Sequence, residues 1–481
     1  MKRILLLAVA LAAAWTAAAK ITLPEIIGDN MVLQQNAEAK LWGWAEPHTT
    51  VKVAASWGVK ATARSGADGR WEVMLKTPAG GYDPQRITIA GDGRVELNDI
   101  LIGEVWFAAG QSNMEMGVQG FHNCPIARSN EVIARADARR GKIRYVKIPK
   151  TASYTPEERV AGRWNEFSTE TAPLCTAVGY FFAEMLNDAL GVPVGVIDCS
   201  WGGSRVESWT SQEILETYPD IDVSEKGIAA VDEWLRPLVM YNGMLHPVAG
   251  YTVRGYLWYQ GESNVGAHAV YAERLANMVK LWRGLWGQGE LPFYFVEIAP
   301  FNYWGSDLSA FLREAQCRAQ DVIPNSGMVS TNDLVEPYEW CNIHPANKHD
   351  IGYRLACMAL NRTYGKKAVH CDSPRFRSME IADGKALVSL DNAEYGFNRL
   401  VGIKGFEICG SDGVFRPADV AVDAQLRLVV SSKEVPEPSA VRYCFRNFQI
   451  GNLANSWGAA RHSVPYGRLP APALRPGILK S

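Results

Sequence analysis

The chain of 481 residues carries almost no excess of either charge: 49 lysines and arginines stand against 51 aspartates and glutamates, a net −2. That balance excludes the basic stripe of a nucleic-acid binder and the polybasic patch of a membrane-surface protein. Beyond the N-terminal stretch no apolar run is long enough to span a bilayer. No repeat of fixed period appears, which sets aside repeat architectures. Long low-complexity linkers are also missing, so the parts of the chain are expected to pack together. The nine cysteines are odd in number and form no compact framework, so mostly buried thiols with few bridges are expected. Cys341-x-x-His344 lacks the second Cys/His pair that a zinc site needs. No metal or organic cofactor is implied.

What is present begins at the N-terminus. Lys2 and Arg3 precede the apolar run Ile4 to Ala14, and Ala17-Ala18-Ala19 offers small residues before Lys20. That is the order of a secretory signal peptide over residues 1–19, and it predicts a secreted or periplasmic protein. The apolar core is too short for a membrane anchor.

Apolar residues make up 47% of the chain, enough for sizeable cores, and the length suggests two to four domains. Residues 20–101 read as β. Val51, Val53 and Ala55 alternate, and Gly66-Ala67-Asp68-Gly69 and Gly91-Asp92-Gly93 are turns between short strands. A small N-terminal β-sandwich is expected. Over 102–367 strand-like runs alternate with amphipathic helices. The runs are Glu104–Ala109, Ile143–Ile148, Val194–Ser200, Val253–Tyr259, Phe293–Ile298 and Met328–Thr331. The helices are Ala177–Leu190, Val270–Leu285, Ala310–Asp321 and Asp350–Tyr364. This pattern predicts βαβ units, an α/β fold and a mostly parallel sheet, with its ligand site outside the carboxyl ends of the strands. Over 368–481 β character returns, with Ala386–Leu390 and Leu426–Val430 as strands, and a second β-sandwich is expected.

Four strand ends carry polar motifs. Gly110-Gln111-Ser112-Asn113 follows the first run, and Ser112 falls at the start of the next segment. A serine there either caps a helix or acts as a nucleophile whose own N–H holds an oxyanion; read alone, the motif fits the cap first. Val194–Ser200 opens into Trp201-Gly202-Gly203, whose glycines make a tight turn or bring a backbone amide close to a ligand. The run ending at Tyr259 opens into Gln260-Gly261-Glu262-Ser263-Asn264. Asn264 either shapes that turn or aims a side-chain N–H at a developing oxyanion. His344, in Asn342-Ile343-His344-Pro345-Ala346-Asn347-Lys348, precedes the closing helix, where a parallel sheet would place the base for a distant serine.

The set GQSN, SWGG, QGESN and IHPANK resembles the SGNH hydrolase superfamily, and within it the secreted sialate O-acetylesterases and related carbohydrate acetylesterases. GFEICGSDGVF, Val441-Arg442-Tyr443 and Gly451-Asn452-Leu453 extend the resemblance toward the C-terminus. It implies a flavodoxin-like three-layer hydrolase domain and removal of O-acetyl groups from sialic acid or another glycan. By resemblance, Ser112 is the nucleophile and His344 the base. The N–H groups of Ser112 and Gly203 (less so Gly202) and the Asn264 side chain form the oxyanion hole. Gln111, Gln260 and Trp201 become candidate wall residues for the substrate. One position departs: the family's aspartate two residues before the histidine is Asn342 here. Asparagine cannot stabilise imidazolium by charge. Asn342 could present its carbonyl oxygen, Asp333, Glu336 or Glu339 could fold in, or a backbone carbonyl could leave a Ser–His dyad. A slow or inactive sugar binder is the remaining outcome.

Other readings stay open on sequence. His246, in Leu245-His246-Pro247, competes as the base but precedes its strand. Glu115 and Glu262 could serve a glycosidase as paired carboxylates, or could hold loops by hydrogen bonds. Arg205 and Glu207 could pair locally. The sixteen tryptophans suit sugar stacking as well as a core, so a non-catalytic carbohydrate-binding protein is the rival class.

Overall fold

The structure is a computed structural model that describes residues 21–458 and the backbone of 464–467. The expected signal peptide lies outside the described residues. Among the described residues no helix is long and apolar enough to cross a membrane.

Seven strands lead into the central layer: β1 (Val32–Gln34), β2 (Glu38–Trp44), β3 (Thr50–Ala55), β4 (Lys60–Arg64), β5 (Arg70–Lys76), β6 (Gly81–Ala90) and β7 (Arg94–Gly110). In β3 the alternation is visible directly: Val51 and Val53 are buried while Thr50 and Lys52 face water. β3 pairs with β4 and β6, and β6 runs antiparallel to the first half of β7. β2 and β5 form a separate antiparallel pair. Where the sequence suggests a separate sandwich ending at 101, the chain does not break. β7 is one strand of 17 residues whose second half enters the central sheet. Glu104, buried in β7, joins the two parts. Its carboxylate accepts from Gln34 and Gln35 on one side and from Arg254 and Tyr364 on the other.

The central strands are β8 (Ile143–Lys147), β9 (Trp164–Glu166), β10 (Val194–Ser200), β11 (Gly255–Tyr259), β12 (Phe293–Val296) and β13 (Ser326–Val329). Their order with β7 is β13-β12-β11-β7-β10-β8-β9. All neighbours are parallel except β8 and β9. All of β10 and β11 is buried, as both-faces-covered parallel strands require. The faces separate cleanly. Phe107 and Ala109 share a core with Leu275 and Trp282 of helix His268–Trp286 and with Leu312 of helix Leu308–Val322. Trp106 and Ala108 share another with Phe182 of helix Ala177–Leu190 and Leu355 of helix His349–Arg362. The molecule is therefore a mixed α/β protein with a central, mostly parallel sheet.

Eight further strands follow: β14 (Arg375–Ala382), β15 (Lys385–Asp391), β16 (Phe406–Cys409), β17 (Arg416–Pro417), β18 (Asp419–Val422), β19 (Leu428–Ser431), β20 (Ala440–Tyr443) and β21 (Val464–Gly467). They make two antiparallel sheets, β14-β15-β19-β18 and β17-β16-β20-β21. Both feed one apolar core that includes Val388, Leu428, Ile408 and Val441. The strand expected at Leu426 starts at Leu428 because Leu426, with φ 59°, belongs to the turn closed by Asp423.

Register places the loops. Gly110 lies opposite Ser200 of β10 and Tyr259 of β11, so three strands end level. Gly110 also sits where no side chain fits. Its φ is 139°, and a Cβ would lie 2.2 Å from the carbonyl oxygen of Tyr259. Gly110→Ala is expected to lose about 3 kcal/mol of stability or more, from strained backbone and steric overlap together, as measured by denaturant unfolding.

Candidate active site

Ser112 opens a single helical turn, Ser112–Glu115, directly after β7. Its side chain forms no capping bond; instead Oγ lies 2.8 Å from Nε2 of His344, 232 positions away in the chain. Burial and the nearby Lys348 ammonium push the His344 pKa down to about 4, against a smaller upward pull from Glu115. The ring is therefore neutral around pH 7 and able to take a proton.

The glycines of the β10 loop sit against the serine. A Cβ on Gly202 would lie 3.2 Å from Cβ of Ser112. The Gly202 N–H is taken: it donates to Glu115 Oε2 at 2.6 Å, while Oε1 of that carboxylate pairs with Lys150 at 2.7 Å. Neither the Ser112 nor the Gly203 N–H meets an acceptor among the described residues. Gly203 has φ 82°, and a Cβ there would strike the indole of Trp234, which is half exposed. Asn264 is buried. Its Oδ1 accepts from Val206 N–H and Gln260 Nε2, and its Nδ2 gives one hydrogen to Glu207, leaving one free. Glu207 in turn pairs with Arg274, not with Arg205. Arg205 donates its Nε–H to the Ser263 carbonyl.

Beneath the serine runs a buried polar network that sequence reasoning missed. Asn113 donates to Glu262 Oε1 at 2.5 Å and to the Ile343 carbonyl at 3.0 Å, and accepts from Lys348 Nζ at 2.8 Å. Lys348 also donates to the Pro345 carbonyl. One asparagine thus ties together the loops after β7 and β11 and the histidine segment. Burial raises the Glu262 pKa and lowers that of Lys348 to about 7. Asn113 and Lys348 stand inside the quoted GQSN and IHPANK motifs, so polar residues beside the chemical ones were the available signal.

Several expectations need correction. Asn342 Oδ1 does not serve as the partner of the histidine ring: it accepts the His344 backbone N–H at 3.0 Å and the Cys124 thiol at 3.3 Å. The heavy atom facing ring Nδ1 is Cys124 Sγ, at 3.8 Å. The acids proposed as substitutes are engaged elsewhere. Asp333 binds Arg354 through both oxygens, while Glu336 and Glu339 cap the turn Pro337–Cys341. Gln111 and Gln260 are buried tethers instead of wall residues. Gln111 accepts from the N–H of Gly261, and Gln260 donates to the Ser204 carbonyl and accepts from Tyr271. Trp201 belongs to the core, with 8% of its surface open. His246 binds the Glu157 carbonyl through Nδ1. All nine cysteines are free thiols, four of them buried. Trp234 and Cys124 carry no motif, and nothing in the sequence marks them.

The arrangement supplies a serine hydroxyl with a neutral imidazole on it, and N–H groups of Ser112 and Gly203 that meet no acceptor among the described residues, a set that acyl transfer can use. Comparison with known proteins gives the family. Residues 102–361 match the family model "Carbohydrate esterase, sialic acid-specific acetylesterase". The sialate O-acetylesterases of Pongo abelii and Homo sapiens are each 29% identical over 401 residues, covering 76% of this chain and 75% of theirs. A crystal structure of a carbohydrate acetylesterase from Xanthomonas citri matches with a TM-score of 0.82 and 32% identity, covering 93% of this chain and 100% of that one. The chain is thus a carboxylic ester hydrolase acting on acetylated carbohydrate, and it belongs to the sialic acid-specific acetylesterase family of carbohydrate esterases.

Proposed function

We propose that this enzyme removes O-acetyl groups from sialic acid through an acetyl-Ser112 intermediate. The observation that carries the mechanism is the 2.8 Å contact between Ser112 Oγ and His344 Nε2. His344 takes the hydroxyl proton as Oγ attacks the acetyl carbonyl carbon. The oxyanion is held by the N–H groups of Ser112 and Gly203 and the free hydrogen on Asn264 Nδ2, donors worth about 3–4 kcal/mol each. Collapse breaks the ester bond, and the imidazolium returns its proton to the departing sugar oxygen. Water then attacks the acetyl-serine with the same base, releasing acetate. Gly202 is left out because its N–H is held by Glu115.

The sugar rests on the family and its mammalian relatives. Space for it lies beside Asn264, in a cleft of about 440 Å³ lined by Arg205, Glu207, Val231, Leu235 and Arg274. Trp234 adds an aromatic face next to Gly203. We read the catalytic layer, residues 102–367, as a flavodoxin-like hydrolase domain flanked by β-sandwich parts at 20–101 and 368–481. Its export rests on the Lys2-Arg3 and apolar pattern of residues 1–19.

Acetate release from a panel of O-acetylated glycans tests the substrate. Sialic acid acetates are expected to show the highest kcat/KM, and preference for acetylated xylan or another neutral glycan would overturn the sialate assignment. Ser112→Ala should lower turnover by a factor of about 10⁴ or more and abolish the burst with a chromogenic acetate ester. A rate unchanged by that substitution removes the serine mechanism.

The base must be neutral to work, so activity falls as pH drops through its pKa. With His344 held near 4, the acid limb of kcat/KM is expected at about pH 4, well below the ordinary imidazole range. A limb near pH 6.5 in the pH–rate profile would show that burial does not control the base.

A further inference from the structure

We propose that the Cys124 thiol, held by Asn342, is the group that fixes the ring orientation and tautomer of His344, in the place where a Ser–His–acid triad has its carboxylate. The inference rests on the Ser112–His344 reading above and adds a positioning residue to it.

The proton bookkeeping allows one consistent arrangement. Asn342 Oδ1 is an acceptor only, and it lies 3.3 Å from Sγ, so the thiol hydrogen points to it. Sulfur lone pairs then face Nδ1 of His344 at 3.8 Å, within reach of a long N–H···S contact. Nδ1 carries the ring hydrogen, and Nε2 is left with a lone pair for the Ser112 hydroxyl at 2.8 Å. This is the tautomer that general-base catalysis requires. Asn342 contributes at one remove. The same oxygen holds the backbone N–H of His344, so it fixes both the segment that carries the ring and the thiol that faces it.

The local backbone is built to present this thiol. Phe121 and Cys124 exchange backbone hydrogen bonds of 2.9 and 3.0 Å, closing a tight turn. Both of its ends touch the imidazole: the Phe121 ring meets it edge to face at 5.3 Å, and Cys124 meets Nδ1. Gly120, at φ 83°, lets the turn close, since a Cβ there would lie 2.5 Å from the Cys124 carbonyl oxygen. The segment is pinned on both sides, through Val118 N–H to the Cys175 carbonyl and Ala127 N–H to the Ala346 carbonyl, the latter two residues past the histidine. Among the described residues no acid takes the thiol's place at Nδ1. Glu115 is spent on Lys150 and Gly202, Glu339 on backbone N–H groups, and the Lys348 ammonium is held by Asn113 and Pro345.

A neutral thiol orients the ring but adds no charge to stabilise imidazolium. A carboxylate in the same place would do both, which gives the test a direction. Steady-state kinetics against pH are measured for wild type, Ser112→Ala, Cys124→Ala, Cys124→Ser and Cys124→Asp, on one chromogenic acetate ester. Cys124→Ala is expected to lower kcat about 10- to 100-fold with KM changed less than twofold, because the ring loses its tautomer partner. Cys124→Ser, which keeps a donor for Asn342 and a lone pair for Nδ1, should recover most of that loss. Cys124→Asp should move the acid limb of kcat/KM to higher pH, by stabilising imidazolium against Lys348. A turn that matters only for folding would show neither rescue by serine nor a moved limb. If Cys124→Ala fails to fold, the serine and aspartate variants still decide the matter. An inactive Ser112→Ala beside a Cys124→Ala enzyme with unchanged kcat, or a Cys124→Asp enzyme with an unmoved limb, overturns the positioning role alone. A fully active Ser112→Ala overturns the serine mechanism itself.

Discussion

The register between β7 and its two parallel neighbours is the constraint on which the site depends. Gly110, Ser200 and Tyr259 stand opposite one another, so the loops that follow them leave the sheet at one height. A shift of one residue in either pairing would carry Gly203 or Asn264 about 3 Å along the strand axis and turn its loop toward the other face. The distances near 3 Å that the proposed oxyanion hole needs would not survive that. The close approach of Gly110 to the Tyr259 carbonyl leaves room for no other residue, and this steric lock holds β7 and β11 in step. Asn113 supplies the second tie, across Glu262, Ile343 and Lys348, and it brings in the histidine segment, which the sheet alone does not position.

The polar interior around this tie has a cost that explains the state of His344. Lys348 and Glu262 are both buried, and burial disfavours the charged form of each. They are held through a neutral asparagine, whose carbonyl accepts from Lys348 and whose amide donates to one oxygen of Glu262. The ammonium also lies close enough to His344 to oppose its protonation. The site thus keeps the imidazole neutral over a wide range of pH. The same field would make the imidazolium of the proposed mechanism less comfortable, and among the described residues no carboxylate stands at Nδ1 to offset it. A less basic imidazole goes with a buried, cation-bearing floor.

Much of the architecture was legible because buried parallel strands and amphipathic helices differ so plainly in period. Val194–Ser200 and Ala177–Leu190 match the observed elements to the residue. The main strand misread is β7. Local pattern changes near residue 101, but pairing of both halves with different partners keeps the strand continuous, and such long-range pairing leaves no local mark. Of the site, Ser112 and His344 were legible as members of motifs at strand ends, and the structure brings them together. The ring's neighbour was not. Cys124 reaches His344 only because the turn at Phe121 folds back, and a single cysteine 220 positions from its partner has no pattern to betray it.

Gln111 and Gln260 face the interior. Both were expected at the wall because they stand in the motifs, yet their amides satisfy the backbone and side chains of adjoining loops and expose almost no surface. Polar residues packed among the ends of buried strands must satisfy one another first, since an unpaired buried polar group costs about 1–3 kcal/mol. The residues that face open space come from elsewhere. Trp234 and Leu235 belong to a short turn in the stretch between β10 and β11, and Arg205 reaches the surface with only its Nε tied down. The chain therefore separates two tasks. Strand-end motifs hold Ser112, Gly203 and Asn264 at one end of the sheet, while an excursion outside the sheet lines the open cleft beside Asn264, where the proposed reading seats the sugar. On that reading, changes in the excursion alter which glycan fits without disturbing the register that positions Ser112, Gly203 and Asn264.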